Sequence, residues 1–304
     1  MNTILDFNGL MDCLRSMPER RKVAIACPND SHTEYVIERA LNDGIADFLL
    51  VTDGHNRPEL DSIIERFKGH AEKIVTSSPD DAARKAVSLV RQKHADVLMK
   101  GTLNTDNLLR AVLDKECGLL EPGHVLSHIT VTKIPSYDKL LLFSDAAVIP
   151  RPTLEQFESI VSYGVEICRR LGKDTPRVAL IHCTEKVNEK FPHTLSYESL
   201  KRKVAEGCFG DVFIDGPMDV KTACDKESGI IKGIDSPVVG NADMLVFPNI
   251  ESGNVFYKTI TLFAGAETAG MLCGTTAPVV VASRADSNES KYYSLTLACL
   301  GYNS

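Results

Sequence analysis

The sequence predicts an α/β protein in which strands and helices alternate. Three observations carry that expectation. Short β-branched runs recur along the chain, stretches with helical apolar spacing separate them, and 304 residues at about 150 per domain make roughly two domains or one large barrel. Such alternation favours a parallel or mixed sheet with helices on both faces, where ligands gather beyond the carboxyl ends of the strands. Candidate sites are therefore sought just after strands.

Strands are read at residues 23–27, 47–51, 97–99, 178–183, 212–214, 244–247 and 278–282, each short, apolar and rich in Val, Ile or Leu. Helices are read at residues 79–94 and 153–171. In the second, Leu154, Phe157, Val161, Ile167 or Cys168, and Leu171 form one stripe able to cover a sheet face. Residues 124–143 break the rhythm: V-L-S-H-I-T-V-T and K-L-L-L-F flank I-P-S-Y-D with no helix between, as in a β-hairpin. This excursion is taken as the seam where the chain passes into a second domain.

Composition narrows the class. Hydrophobic residues at 43% and charged residues at 25% suit an ordinary globular protein, and exclude disorder and collagen. A net charge of −7 provides no overall basic field for nucleic acid or an anionic membrane, so any anion needs a local site. Nine cysteines, an odd number without a C-x-x-C pair, suit neither a disulfide framework nor a structural zinc site and point to a reducing cytoplasm. The N-terminus lacks the apolar core of a signal peptide, no apolar run approaches the roughly 20 residues that cross a bilayer, and the sequons at Asn29 and Asn288 read as chance.

Common phosphate-loop, dinucleotide, zinc, EF-hand and nucleophile-elbow motifs are absent. His32, His128 and His182 are dispersed and read as structural, and Phe256, Tyr257 and Phe263 read as core. What remains is polar clusters after apolar strands. At residues 99–106 the sequence M-K-G-T-L-N-T-D leads into a helix, whose unpaired N–H groups with Lys100, Thr102 and Asn104 suit a phosphate-binding lip, or an ordinary N-cap with a solvated lysine. D-G-P-M-D at residues 215–219 reads as a turn, with Asp219 capping the next helix. V-G-N-A-D at residues 239–243 precedes a strand and a small-residue turn at Ser252, Gly253 and Asn254, with Lys258 one turn into an apolar helix. At residues 279–290, V-V-V-A-S-R-A-D-S-N-E-S delivers Ser283 and Arg284 to a strand end. The guanidinium suits phosphate, and the hydroxyl with helix amides suits an oxyanion. Asp286 and Glu289 have capping-box spacing, which would leave neither as a base.

These residues carry a resemblance. A-D-V-L-M-K-G at residues 95–101, N-L-L-R-A at 107–111, F-S-D at 143–145, the block G-N-A-D-M-L-V-F-P-N-I-E-S-G-N-V-F-Y-K at 240–258 and S-R-A-D-S at 283–287 resemble, in order and spacing, the phosphate acetyl/butyryltransferase family and its butyryl branch most. The resemblance implies two α/β domains with a cleft between them, an isocitrate/isopropylmalate dehydrogenase-like fold, and a homodimer or larger homo-oligomer. It places residues 1–125 plus 275–304 in the first, discontinuous domain and residues 126–274 in the second. It further implies reversible exchange of coenzyme A for phosphate on a short acyl group, with acyl-CoA, phosphate and acyl phosphate as small-molecule partners. Coenzyme A would be a substrate; no permanently bound cofactor, metal, nucleic acid or membrane is expected.

By the same resemblance Arg284 binds the phosphoryl group, Ser283 stabilises oxyanion charge and Arg110 lies near the coenzyme. Asp145, Asn241, Asn254 and Lys258 join Lys100, Thr102 and Asn104 as substrate-binding candidates. The acetyl branch carries a proposed aspartate base seven positions after the S-R serine. Ser290 stands there in this chain, so Asp286 or Glu289 would have to substitute. Three other functions stay open: the acetyl-transferring variant, a metal- and NAD-dependent decarboxylating dehydrogenase, and a non-catalytic coenzyme A or acyl phosphate sensor.

Overall fold

The computed structural model describes residues 3–283 and 286–301. From the N-terminus, α1 (Phe7–Arg15), β1 (Arg21–Ala26), α2 (Ser31–Asn42), β2 (Ala46–Thr52), α3 (Pro58–Arg66), β3 (Ala71–Val75), α4 (Pro79–Arg91), β4 (Val97–Lys100) and α5 (Thr105–Val112) follow one another. Then come β5 (Ser127–Lys133), β6 (Leu141–Ser144), α6 (Leu154–Arg170), β7 (Arg177–Ile181), α7 (Pro192–Ala205), β8 (Phe213–Met218), α8 (Val220–Cys224), α9 (Lys226–Lys232), β9 (Met244–Val246) and α10 (Ile250–Phe263). The chain closes with β10 (Glu267–Cys273), β11 (Val279–Val280) and α11 (Asn288–Leu300).

Two compact units result, one from the described residues up to Asp6 with Val125–Thr268 and the other from Phe7–His124 with the stretch beginning at Ala269. In the latter the strand order is β3-β2-β1-β4-β11-β10, with β1, β2, β3, β4 and β11 parallel and β10 antiparallel to β11. Its inner strands are continuous apolar runs because helices cover both faces. Phe7 of α1 stacks on Tyr293 of α11 with ring centroids 4.3 Å apart.

The other unit has the order β5-β6-β9-β7-β8. β5 and β6 pair antiparallel, with Thr130 opposite Phe143, which is the hairpin read from the sequence; β6, β9, β7 and β8 are parallel. Phe143 anchors the core, meeting Phe256 edge-on at 5.2 Å, with Tyr257 packed beside it. α6 opens on a capping box between Thr153 and Gln156 and buries Phe157, Val161, Ile167 and Cys168 as the stripe requires.

Three expectations are corrected. Gly216 and Pro217 lie inside β8 rather than in a turn, tolerated because β8 ends the strand order and is irregular against β7. Phe263 is 81% exposed rather than core, on a face of α10 shared with Val255 and Leu262. The sheet is mixed α/β, and the isocitrate/isopropylmalate dehydrogenase-like arrangement implied by the resemblance is not the one that matches it. A strand–helix rhythm is compatible with many windings and does not select one.

Candidate functional site

The carboxyl ends of β4 and β11 create a polar site among the described residues. The two strands run parallel with Val280 opposite Met99, so chain segments about 180 residues apart end side by side. After β4 the chain turns tightly across β1. A Cβ on Gly101 would stand 2.0 Å from the Cys27 carbonyl oxygen, so only glycine fits there. The Thr102 hydroxyl donates to that same carbonyl at 3.1 Å, which locks the turn. Lys100 is 7% exposed and its ammonium donates to the carbonyls of Gly101 at 3.1 Å and Leu103 at 3.3 Å. Asn104 takes the N-cap position of α5 without a side-chain capping bond.

Two adjoining cavities share Lys100 and Ser283. One, of about 430 Å³, is also lined by Asp30, His32, Thr33, Thr102 and Lys291; the other, of about 460 Å³, by Leu103, Asn104 and Thr105. Lys100, Thr102, Asn104 and Ser283, predicted from distant segments, thus come together. Asp30 caps α2, accepting from the Thr33 amide at 2.7 Å, and His32 Nδ1 lies 2.7 Å from Asn288 Oδ1. His32, read as structural, both pairs with Asn288 and borders the cavity. Lys291 was missed; a lysine on the buried side of the last helix was the available signal.

Asp286 Oδ2 accepts from the Ser283 amide at 2.8 Å, so this carboxylate shapes the turn. The cap of α11 is Ser287, whose hydroxyl accepts from the Ser290 amide at 3.1 Å, and Glu289 is exposed in the first turn. The predicted Asp286–Glu289 capping box gives way to a simple Ser287 cap one residue later, with Asp286 engaged by Ser283. Arg284 lies outside the described residues.

Arg110 is in the same unit but lines another groove, of about 360 Å³ between α4 and α5, with Arg84, Asn107 and Asp114. Arg84 pairs with Asp81 at 2.6 Å.

The remaining candidates belong to the other unit, where Asp145 is buried and Asn241, Asn254 and Lys258 are exposed. Asp145 is buried and accepts four hydrogen bonds, from Ser127 Oγ at 3.0 Å and the amides of His128 at 3.1 Å, Ala147 at 2.7 Å and Val148 at 2.8 Å. A Cβ on Gly253 would approach the Asp145 carbonyl to 2.2 Å, and Asn254 Nδ2 donates to the Ala146 carbonyl at 3.1 Å. Asn241 Oδ1 accepts from Lys139 at 2.6 Å, and Lys258 sits over the Tyr257 ring at 4.6 Å. Buried Asp243 pairs with Lys139 at 2.7 Å and Lys173 at 3.0 Å. Asp219 caps α8 as expected.

His182 packs edge-on against Phe191 and at 5.5 Å from the His193 ring; burial first, then His193, lowers its pKa. Cys27 is pushed up to about 12, chiefly by burial, and stays a thiol. Among the described residues no group of three or more His, Cys, Asp or Glu side chains is arranged to hold a metal ion, and no helix is long and apolar enough to cross a membrane.

Comparison with known proteins adds to this geometry. A family model described as "Phosphate acetyl/butaryl transferase" matches residues 55–299. Phosphate butyryltransferase of Clostridium acetobutylicum is 37% identical over 98% of this chain and 98% of its own length. Among solved structures, a branched-chain phosphotransacylase from Enterococcus faecalis V583 has 30% identity and a TM-score of 0.82, covering 92% of this chain and 98% of its own. In contrast, 4-hydroxythreonine-4-phosphate dehydrogenase from Klebsiella pneumoniae, 12% identical over 92% of this chain and 98% of its own, reaches only 0.52. That difference overturns the dehydrogenase-like expectation: the fold follows the phosphotransacylases.

Proposed function

The chain belongs to the phosphate acetyl/butyryl transferase family, and on that premise we propose that it exchanges coenzyme A and phosphate on a short acyl group, reversibly, with butyryl-CoA and phosphate as the leading pair. The observation that carries the reading is the convergence of Lys100 and Ser283, from distant segments of the sequence, on cavities at the ends of β4 and β11. Acyl-CoA, phosphate and acyl phosphate are the small-molecule partners it supports, with coenzyme A as a substrate rather than a resident cofactor.

In the forward direction a phosphate oxygen attacks the thioester carbonyl carbon, negative charge gathers on the carbonyl oxygen, and the carbon–sulfur bond breaks. The sulfur leaves as thiolate and takes up the proton that phosphate releases. Ser283 and the first amides of α11 are suited to the developing oxyanion. Arg284 is kept as the phosphoryl ligand on its sequence position alone. Thr102, whose hydroxyl is donated to Cys27, holds the turn, and Lys100 contributes positive charge to both cavities. Asp286 is spoken for by Ser283, and the thiol's ordinary pKa of about 8.5 leaves orientation to supply much of the acceleration.

The exposed apolar face of α10, with Val255 at 65%, Leu262 at 75% and Phe263 at 81%, supports a homo-oligomer. Nine cysteines with no disulfide support a reducing, cytoplasmic setting.

The decisive experiment follows free coenzyme A released from acetyl, propionyl, butyryl, isobutyryl and valeryl thioesters with phosphate as acceptor. Phosphate-dependent release is expected, greatest for a four-carbon acyl group. Absence of release from every thioester would overturn the activity, and tight binding of acyl-CoA without turnover would replace it with a sensor.

A further inference from the structure

Lys291 is the fourth residue of α11 and only 8% exposed, yet it lines the cavity shared by Lys100 and Ser283. Its backbone amide continues the helix by donating to Ser287. Among the described residues its ammonium has no hydrogen-bond or ion-pair partner. The ammonium is not among the enclosed unpartnered polar atoms, so it faces the open cavity, where an entering anion can reach it. The other charges in the cavity do not neutralise it. Lys100 is itself cationic, and Asp30, the carboxylate in the lining, is engaged by the amide and hydroxyl of Thr33 at 2.7 and 3.2 Å. His32 points its Nδ1 to Asn288. Among the described residues the cavity therefore carries two ammonium groups and one carboxylate already used as a helix cap.

We propose that Lys291 is a phosphate-binding residue: its ammonium holds the phosphate that enters the reaction, or the phosphoryl group of the acyl phosphate that leaves, inside the cavity beside Lys100 and Ser283. The inference rests on the exchange activity proposed above and adds a phosphate contact to those assigned to the motif residues. A group with two or three anionic oxygens suits two ammonium donors and the positive end of α11 together, and a neutral thioester does not. Coenzyme A also carries phosphates, so the test separates the two sources.

The test compares wild type with Lys291→Met, which preserves the packed stem without the charge, and Lys291→Arg, which preserves the charge. With butyryl-CoA as co-substrate, Lys291→Met is expected to raise KM for phosphate about tenfold or more while KM for butyryl-CoA stays within about twofold. In the reverse direction KM for acyl phosphate rises similarly and KM for coenzyme A does not. Lys291→Arg recovers most of the phosphate affinity. An unchanged phosphate KM overturns the proposal, and so does a rise confined to coenzyme A and its thioester. Inorganic phosphate is also titrated against the thermal midpoints of wild type and Lys291→Gln, a readout that needs no turnover and covers a poorly folding methionine variant. Stabilisation of wild type but not of Lys291→Gln supports the site even if no thioester is turned over, and equal stabilisation of both overturns it.

Discussion

The backbone amide of Ser283 donates to Asp286 Oδ2 at 2.8 Å, and the Asp286 amide returns a hydrogen bond to the Ser283 carbonyl at 3.2 Å. These paired hydrogen bonds hold Ser283 at the cavity and give Asp286 a positioning duty. Asp286→Ala is expected to lower kcat by about 10- to 100-fold by letting Ser283 drift, whereas Asp286→Asn, which retains an acceptor oxygen, loses less. Steady-state kinetics of the two variants check this; an equal loss in both would mean that the charge, not the turn, matters.

Gly101 has no room for a side chain against Cys27. Gly101→Ala has to move the β4–α5 turn away from β1, and a stability loss of about 2 to 4 kcal/mol is expected in urea unfolding. Activity should fall more than stability, because Lys100 and Thr102 flank the displaced residue.

Asp243 holds two lysines in the interior of its unit. Burial lowers the pKa of Lys139 most, and the hydrogen bond it donates to Asp243 works against that effect. Asp243→Asn leaves Lys139 and Lys173 buried without their counter-charge, and about 3 to 5 kcal/mol of stability should be lost. The motif G-N-A-D thus carries a folding role that denaturant titration measures directly.

His182 and His193 both have pKa values lowered from 6.5, in each case chiefly by burial, with His193 the second cause for His182 and Arg151 for His193. The unfolded chain therefore takes up protons that the folded chain refuses once the pH drops below about 6.5, and stability declines as pH falls from there through the folded-state values. Thermal midpoints of His182→Phe and His193→Gln, followed from pH 7.5 to 5, should fall less steeply than those of wild type. Parallel slopes would remove the pair from the pH response.

Self-association through α10 would bury Phe263 and Leu262. Phe263→Glu is then expected to shift the protein to a smaller assembly in sedimentation velocity while leaving thermal stability at low concentration nearly unchanged. No change in assembly size would reassign that face.

The sequence by itself determined the strands β1, β2, β4, β7 and β9, because runs buried on both faces are written as continuous apolar stretches. It also carried the β5–β6 hairpin, the stripe of α6, the cap at Asp219, and the motif spacing that identifies the family. Edge strand β3 escaped because only Ala71 of its five residues is buried, leaving little pattern to read. Tertiary structure alone decided that residues near 100 and near 283 meet, because parallel pairing of β4 with β11 is a long-range contact with no local signature. It likewise decided that Ser287 rather than Asp286 caps α11, that Phe263 faces outward, and that Lys291 faces a cavity. Helical spacing names the residues that share a stripe, but only packing against the rest of the chain settles whether that stripe meets core, ligand or solvent.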